Sequence, residues 1–347
     1  MKHASRLLAV LLAALAAPDG AAPAPHPGNA TGVSVERRFG AMGTECVIAG
    51  RAASRDAGLA AIEAARGAIA AVDGLLSTWR PDTDLARLNG APPGTPHPLS
   101  PELLGILLEV ARLRAETGGT FDPAVGSLVE AWGLRSAGRI PTAAELARAR
   151  AATGLHLLVL DPAARTATRL APGPILDPGA FGKGEALARA GAALDQAGLR
   201  DWSIDFGGQV FCGGGSECEA DIAHPRHRDR SVGRLRLAAA SASSSGNAEQ
   251  ARQVGERRIG HILDPRTGEP APDFGSVTVV CPDPLRADAL STALFVMGPE
   301  QGLPFAAGLR DCEALFLVAD DGGEPHWLAT DGFAALLVPD PSGTPRP

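Results

Sequence analysis

Apolar residues recur at helical spacing between residues 54 and 76, after a short apolar run at Glu45–Ala49 that predicts a strand. The predicted helix begins at Ser54 and carries one apolar face, formed by Leu59, Ile62, Ile69, Val72 and Leu76. Ser100 and Pro101 are typical of the cap and the first position of a second helix, which we expect to run to Gly118.

The rest of the pattern mixes hairpins with helices. Thr142 and Glu145 form a capping box for a short helix, and Glu185–Leu199 and Pro284–Met297 predict two more helices. An internal Gly-Gly in Ser203–Gly214 indicates a bulge or a close approach of a ligand. The other predicted strands are Leu155–Leu160, Thr166–Leu170, Arg234–Ala238, Ser276–Cys281 and Ala314–Ala319. We therefore predict an α+β (mixed α/β) fold in one interwoven domain.

The first residues have the pattern of a secretory signal peptide. Lys2 and Arg6 precede the apolar run Leu7–Ala17, whose small residues at 14–16 offer a cleavage point. The run is too short to span a bilayer, although an uncleaved anchor is an alternative. We assign residues 1–22 to a signal peptide, 23–34 to a flexible leader and 35–340 to the folded domain. The mature protein is then expected to be soluble and exported, in the periplasm or cell envelope.

The net charge and the cysteines bear on which ligands and which compartment the sequence suits. A net charge of −7 and a pI of about 5.6 argue against a nucleic-acid-binding surface. Cys212 and Cys218 flank a glycine-rich loop and could form a disulfide in an oxidising compartment. Cys46, Cys281 and Cys312 are expected to be small buried hydrophobic residues, and no Cys/His cluster suggests zinc.

The segment LDPGAFGKG, Leu176–Gly184, has the composition of a phosphate-binding turn. Its glycines let the backbone approach a ligand, Lys183 supplies a positive charge, and Asp177 supplies an acceptor. The predicted helix that follows would add free N–H groups and a favourable dipole. A plain glycine-rich connection to a helix is the alternative.

Three further side chains suit phosphoryl chemistry. Asp288 and Thr292 are four residues apart on a predicted helix, so they would present hard oxygen ligands for Mg²⁺ on one face. His261 could accept a proton from an incoming hydroxyl. The alternatives are an Asp that complements the helix dipole, a Thr that bonds its own backbone and a structural His beside an Asx turn at Asp264.

Eight short motifs follow one another along the chain. They are MGT at 42–44, STWRPDTDLARLN at 77–89, TGGTFDPAVG at 117–126, LDPGAFGKG at 176–184, DFGGQV at 205–210, SSSG at 243–246, HILDPRTG at 261–268 and ADALSTALFVMG at 287–298. Each motif is weakly specific, but the ordered set resembles the ApbE family of FAD:protein FMN transferases from about residue 35 to residue 340.

The resemblance implies a function and a cofactor. Members of the family move FMN from FAD to a threonine of a target protein through a phosphoester bond, release AMP and use Mg²⁺. The implied acceptors are exported or membrane electron-transfer proteins, including sodium-pumping quinone reductases and Rnf-type complexes. Two alternatives remain: a Mg²⁺-dependent FAD pyrophosphatase that yields FMN and AMP, and a non-catalytic flavin-binding protein.

The resemblance also assigns site residues by position. The implied metal ligands are Asp288, Thr292 and the backbone carbonyl of Ala180. The implied FAD contacts are Met42, Trp79, Thr120, Phe121, Asp122, Asp177, Lys183 and Ile262. His261 matches a histidine that activates the acceptor hydroxyl, and Lys183 would stabilise the phosphates during transfer. Trp79 or Phe121 could hold a flavin or adenine ring.

Overall fold

The computed structural model describes residues 32–173, 176–248, 251–319 and 323–339. Its helices are α1 (Arg55–Leu76), α2 (Asp84–Gly90), α3 (Pro101–Glu116), α4 (Gly126–Ala131), α5 (Ala143–Ala151), α6 (Gly182–Gln196) and α7 (Pro284–Ala307). Its first eight strands are β1 (Val33–Ala41), β2 (Thr44–Ala52), β3 (Pro96–Pro98), β4 (Leu158–Asp161), β5 (Thr166–Arg169), β6 (Arg200–Phe206), β7 (Gln209–Gly213) and β8 (Glu217–Ala223). The later strands are β9 (Ser231–Ala238), β10 (Ser241–Gly246), β11 (Arg252–Val254), β12 (Arg257–Ile259), β13 (Gly275–Cys281), β14 (Glu313–Val318) and β15 (His326–Ala329).

One antiparallel sheet organises the fold. Its eight strands lie in the order β1-β2-β6-β7-β10-β13-β14-β15. Strands from both ends of the described chain therefore share one sheet, and helices from between them pack on it. The predicted α+β class is confirmed.

Helices and a hairpin cover the two faces of this sheet. Helix α1 packs on β1 and β2, α6 packs on β6 and β7, and α7 packs on β10 and β13. The β8–β9 hairpin joins a second apolar cluster with alternate residues of the sheet, including Val210, Val280 and Leu315. Successive strand residues point to opposite faces, so the sheet has a helix layer on one side and a hairpin on the other.

Three of the seven helix starts in the described ranges were predictable from their caps. Ser54 accepts a hydrogen bond from the N–H of Ala57, and Ser100 accepts one from the N–H of Leu103. The predicted capping box between Thr142 and Glu145 is present in full. These side chains satisfy N–H groups that the first helical turn leaves without partners.

Several predicted boundaries and one predicted bulge were wrong. Residues 155–157 form a 3-10 turn, so β4 starts later than expected. Gly207-Gly208 is the turn of the β6–β7 hairpin, with positive φ at both glycines, and not a bulge within one strand. Helix α6 begins at Gly182, so Lys183 lies inside its first turn. Helix α7 continues past a kink at Gly298.

The cysteines form two disulfides in the described chain. Cys212 and Cys218 are paired, as the sequence allowed. The prediction that Cys281 and Cys312 are unpaired was wrong, because these buried residues also form a disulfide. The antiparallel pairing of Val280 with Glu313 brings their chain neighbours together, which a separation of 31 residues hides in the sequence. Cys46 is a free buried thiol, and its burial, followed by Asp205 and Glu45, raises its pKa to about 12.

The predicted signal peptide at residues 1–22 and most of the leader at 23–34 lie outside the described residues. Strand β1 begins at Val33, so the end of the range given to the leader is part of the sheet. None of the helices in the described ranges combines the length and the apolar character that a membrane span requires.

Candidate functional site

The glycine-rich segment folds into a capped turn followed directly by a helix. Oδ1 of Asp177 accepts a hydrogen bond of 2.8 Å from the N–H of Gly179 and so caps the 3-10 turn Pro178–Ala180. The ring of Phe181 is buried in the core, which anchors the turn where α6 starts. Lys183 therefore stands at the N-terminus of α6, where the helix dipole favours an anion.

The start of α6 meets the start of α7 at very close range. The N–H of Gly184 donates a 3.0 Å hydrogen bond to Oδ2 of Asp288, and Nζ of Lys183 lies 3.4 Å from Oδ1 of the same carboxylate. A Cβ at position 184 would lie only 2.5 Å from the carbonyl oxygen of Pro284. Only glycine fits this contact without a backbone shift, and the contact places Lys183 and Asp288 side by side.

Thr292 lies one turn after Asp288 within a cluster of hydroxyl groups. Its Oγ1 donates to the carbonyl oxygen of Asp288 at 3.4 Å, as the structural interpretation of this residue expected. That bond uses the hydroxyl proton and leaves oxygen lone pairs for a cation. Oγ of Ser245 on β10 lies 2.9 Å from Oγ of Ser291 and 3.5 Å from Oγ1 of Thr292. The SSSG motif marked this strand, but sequence reasoning assigned no role to Ser245 or Ser291.

His261 follows β12 and is held through its backbone. Its N–H donates to Oδ1 of the buried Asn247 at 3.2 Å, a contact that sequence reasoning missed. Burial, followed by the charges of Lys183 and Arg252, lowers the pKa of His261 to about 4. The imidazole is therefore neutral at neutral pH. Its Nδ1 is buried and has no hydrogen-bond partner among the described residues.

Hydrogen bonds and an ion pair hold the turn that follows His261. Oδ1 of Asp264 accepts from the N–H of Arg266 at 2.8 Å, which confirms the predicted Asx turn. The guanidinium of Arg266 also pairs with Asp264. Nε1 of the buried Trp132 donates to the carbonyl oxygen of Gly268 at 2.8 Å. The segment 261–268, called the histidine loop below, is thus bound to the end of α4 as well as to Asn247.

Met42 and Trp79 lie at the edge of this site, where Met42 is half-buried and Trp79 is exposed. Met42 occupies the β1–β2 turn with a φ of 44° and lies over the first residue of α6, Gly182. The indole of Trp79 is 75% exposed, and the guanidinium of Arg135 lies 5.3 Å from its ring centroid. Arg135 also pairs with Asp177, so two of the implied FAD contacts share one partner.

The other implied FAD contacts have buried side chains. The hydroxyl of Thr120 donates to the carbonyl oxygen of Thr117, and Asp122 pairs with Arg114. Phe121 and Ile262 lie in the core, where 1% and 6% of their surfaces are exposed. Of the two aromatic residues considered for stacking, Trp79 is the one with an accessible ring.

Among the residues that the structure describes, no three His, Cys, Asp or Glu side chains are grouped to hold a metal ion. The implied ligand set contains one carboxylate, one hydroxyl and one carbonyl. The Pro178–Ala180 turn that carries the carbonyl lies against α7, the helix that carries the other two groups. These are hard oxygen donors of the kind that Mg²⁺ prefers.

Solved structures of flavin transferases have the same architecture. The apo flavinyl transferase ApbE of Pseudomonas stutzeri matches with a TM-score of 0.77 and 26% identity, over 88% of this chain and 97% of that one. The flavin transferase ApbE of Vibrio cholerae matches with a TM-score of 0.76 and 27% identity, over 88% of this chain and 100% of that one. The fold is therefore of the ApbE flavin transferase type.

The family model for ApbE matches residues 42–316. Since this range covers most of the sequence, the chain belongs to the ApbE family. A relative from Salmonella typhimurium, named FAD:protein FMN transferase, is 31% identical over 280 residues, which are 77% of this chain and 79% of that protein.

Proposed function

We propose that this chain transfers FMN from FAD to a threonine hydroxyl of an acceptor protein, with Mg²⁺ as cofactor. In this reaction the hydroxyl oxygen bonds to the phosphorus on the FMN side, the P–O–P bridge breaks and AMP leaves. The family match and the name of the Salmonella relative support FAD as substrate and a protein as acceptor. The ordered motifs support threonine, AMP and Mg²⁺.

The contact between Lys183–Gly184 and Asp288 is the observation that carries this proposal. It joins a helix N-terminus and an ammonium group, both of which attract phosphate, to a buried carboxylate that attracts a cation. Two opposite charges at one point suit a ligand made of a pyrophosphate and a metal ion. A flavin carrier without chemistry does not require the carboxylate.

The residues at this point fit a magnesium ion. Asp288, Thr292 and the carbonyl of Ala180 would hold it, and it would neutralise charge on the pyrophosphate oxygens. Oδ2 of Asp288 accepts the N–H of Gly184, and Oδ1 faces Nζ of Lys183 at 3.4 Å, so a cation held by Oδ1 would replace the lysine contact. Lys183 would bind the phosphate of the leaving AMP and stabilise its developing charge.

His261 has the protonation state that a general base needs. Because its pKa is lowered to about 4, the neutral imidazole can accept the threonine proton at neutral pH. Lys183 contributes to that lowering, so a bound pyrophosphate would offset the lysine charge and raise the basicity of His261 when substrate is present. Asn247 orients His261, because its Oδ1 accepts a hydrogen bond from the backbone N–H of His261.

An assay with three arms tests the proposed reaction. The purified chain is incubated with FAD and MgCl₂, with a candidate acceptor domain, with the same domain carrying Thr→Ala at its acceptor site, or with no acceptor. We expect mass spectrometry to find FMN only on the threonine domain, in step with AMP release, and EDTA to stop the reaction. FMN release at full rate without acceptor would instead establish a pyrophosphatase, and intact FAD in every arm would establish a binding protein.

We also propose that the chain is exported and acts on exported domains of electron-transfer proteins. The signal-peptide pattern in residues 1–22 supports export, and so do the disulfides Cys212–Cys218 and Cys281–Cys312, since disulfides persist in oxidising compartments. Fractionation of expressing cells tests this: we expect a processed chain in the periplasmic fraction. An unprocessed chain in the cytoplasm would refute export.

A further inference from the structure

Arg135 lies between α4 and α5 and contacts two separate turns of the site. Its Nη2 donates to Oδ2 of Asp177 at 2.6 Å and to Oγ1 of Thr78 at 2.8 Å. Its guanidinium carbon lies 5.3 Å from the ring centroid of Trp79, a distance at which cation–π attraction operates. One side chain therefore joins the Trp79 turn to the turn that begins α6.

Two hydrogen bonds close the base of the loop that carries Arg135. The N–H of Arg139 donates to the carbonyl oxygen of Trp132 at 2.9 Å, and the N–H of Gly138 donates to that of Gly133 at 3.1 Å. The indole of Trp132 is 2% exposed and is bound to Gly268 in the histidine loop. The backbone of Arg135 is consequently fixed relative to the loop that presents His261.

The two oxygens of Asp177 have separate partners. Oδ1 caps the Pro178–Ala180 turn through Gly179, and Oδ2 receives Arg135. The carboxylate thus transmits the position of Arg135 to the turn that carries the Ala180 carbonyl. Trp79 has few other restraints on its side chain, since 75% of its surface is exposed.

We infer that Arg135 is a positioning residue for FAD, which holds the Trp79 ring and the Asp177 carboxylate in the arrangement that receives the substrate. The inference rests on the proposed function, because that function makes Trp79 and Asp177 substrate contacts. Arg135 acts through these two residues, and a direct contact between its guanidinium and the phosphates is the competing role.

Equilibrium binding of FAD, read from flavin fluorescence within seconds of mixing with MgCl₂ and no acceptor, tests the inference. We expect Arg135→Ala to weaken FAD binding about five- to twentyfold, from the loss of one ion pair and one cation–π contact. Arg135→Lys keeps the charge but cannot stack a planar group on the indole. Its affinity for FAD should therefore lie between that of the parent and that of Arg135→Ala. Arg80→Ala is the matched control, because it removes a charge beside Trp79 that pairs with Asp73 and Asp82.

A double-mutant cycle separates positioning from direct contact. Asp177→Asn keeps an oxygen for the N–H of Gly179 but removes the charge that Arg135 binds. If Arg135 acts through Asp177, adding Arg135→Ala to Asp177→Asn costs clearly less than Arg135→Ala alone. An equal loss in the parent, Asp177→Asn and Trp79→Ala backgrounds indicates direct phosphate contact and overturns the inference.

Two further outcomes are decisive. Parent-like affinity of Arg135→Ala, with the parent binding FAD normally, overturns the inference and leaves the proposed function standing. A parent chain that does not bind FAD overturns the proposed function, and the inference falls with it. Thermal unfolding of all variants should show midpoints close to the parent, since Arg135 is exposed; the Lys variant carries the test if the Ala variant does not fold.

Discussion

The backbone N–H of Gly184 binds Oδ2 of Asp288 across 104 positions of sequence, at 3.0 Å. A main-chain group thereby fixes the orientation of a buried carboxylate and directs its other oxygen towards Lys183, 3.4 Å away. The contact exists because two helices begin at the same place and because position 184 has no side chain. The geometry of the proposed metal and phosphate site therefore depends on how α6 and α7 pack against each other.

Asp288→Asn tests the charge at this contact. The amide keeps an oxygen for Gly184, so we expect a folded chain with nearly unchanged stability, whereas FMN transfer should fall by roughly 100-fold or more because a metal ligand has lost its charge. Transfer rates over a range of MgCl₂ concentrations measure the effect. Asp283→Asn, at the cap of the same helix, is the control and should affect stability alone. Parent-like transfer by Asp288→Asn would remove this carboxylate from the metal site.

Gly184→Ala tests the close approach of the two helices. The new Cβ would lie 2.5 Å from the carbonyl oxygen of Pro284 and 2.6 Å from Cα of Leu285, so backbone must move. We expect a loss of about 1–3 kcal/mol in the free energy of unfolding, measured in urea. Gly67→Ala is the control, since a Cβ at this exposed site in α1 meets nothing within 4 Å. That variant should be more stable by about 0.5–1 kcal/mol, and equal effects at both positions would contradict the packing argument.

Local signals in the sequence were enough for most elements of the fold. Caps at Ser54 and Ser100 and the capping box at Thr142 depend on residues within one helical turn, which a linear pattern records. The start of α6 was placed too late because Gly182 and Gly184 have poor helix propensity. Tertiary packing against α7 offsets that cost, and nothing local in the segment indicates it.

The sequence could propose a site residue only where a motif carried the residue itself. Asp288, Lys183 and His261 stand in motifs, and the structure brings Lys183 next to Asp288. Asn247 and Arg135 were missed, because each acts on a residue at least 14 positions away. The Cys281–Cys312 disulfide was missed for the same reason, since its proximity arises from the register of β13 and β14.

The lowered pKa of His261 predicts a dependence of stability on pH. The pKa falls from 6.5 in the unfolded chain to about 4 in the folded chain, so between these values the unfolded chain binds more protons. The free energy of unfolding should therefore fall as the pH drops from about 6.5 to about 4, by up to about 3 kcal/mol from this group. Urea unfolding of the parent and of His261→Gln across this range measures it. His326→Gln, at an exposed histidine, is the control. If the free energy of unfolding of His261→Gln still falls with pH as in the parent, another group causes the effect.

Removal of the two disulfides should affect stability unequally. Cys281 and Cys312 enclose a loop with a separation of 31 residues, whereas Cys212 and Cys218 are 6 apart. Because the longer loop restricts the unfolded chain more, we expect the Cys281→Ser/Cys312→Ser variant to lose nearly 4 kcal/mol, and Cys212→Ser/Cys218→Ser about 2 kcal/mol. Urea unfolding under non-reducing conditions measures both losses. The reduced parent lacks both disulfides, so it should lose about as much stability as the two variants together. A much smaller loss in the reduced parent would assign the effect of the variants to the serine substitutions and not to the disulfides.

Trp79 and Phe121 lie in opposite environments, so their alanine variants should separate binding from stability. Trp79 is 75% exposed, and Trp79→Ala should retain nearly all of the free energy of unfolding but weaken FAD binding about tenfold, from the loss of base or flavin stacking. Phe121 is 1% exposed, and Phe121→Ala should lose about 3–5 kcal/mol of stability through the cavity it leaves. Urea unfolding and flavin fluorescence measure the two quantities on the same samples. Trp79→Phe restores an aromatic face and should recover most of the affinity. If it does not, the contribution of Trp79 is specific to the indole, and stacking alone does not account for it.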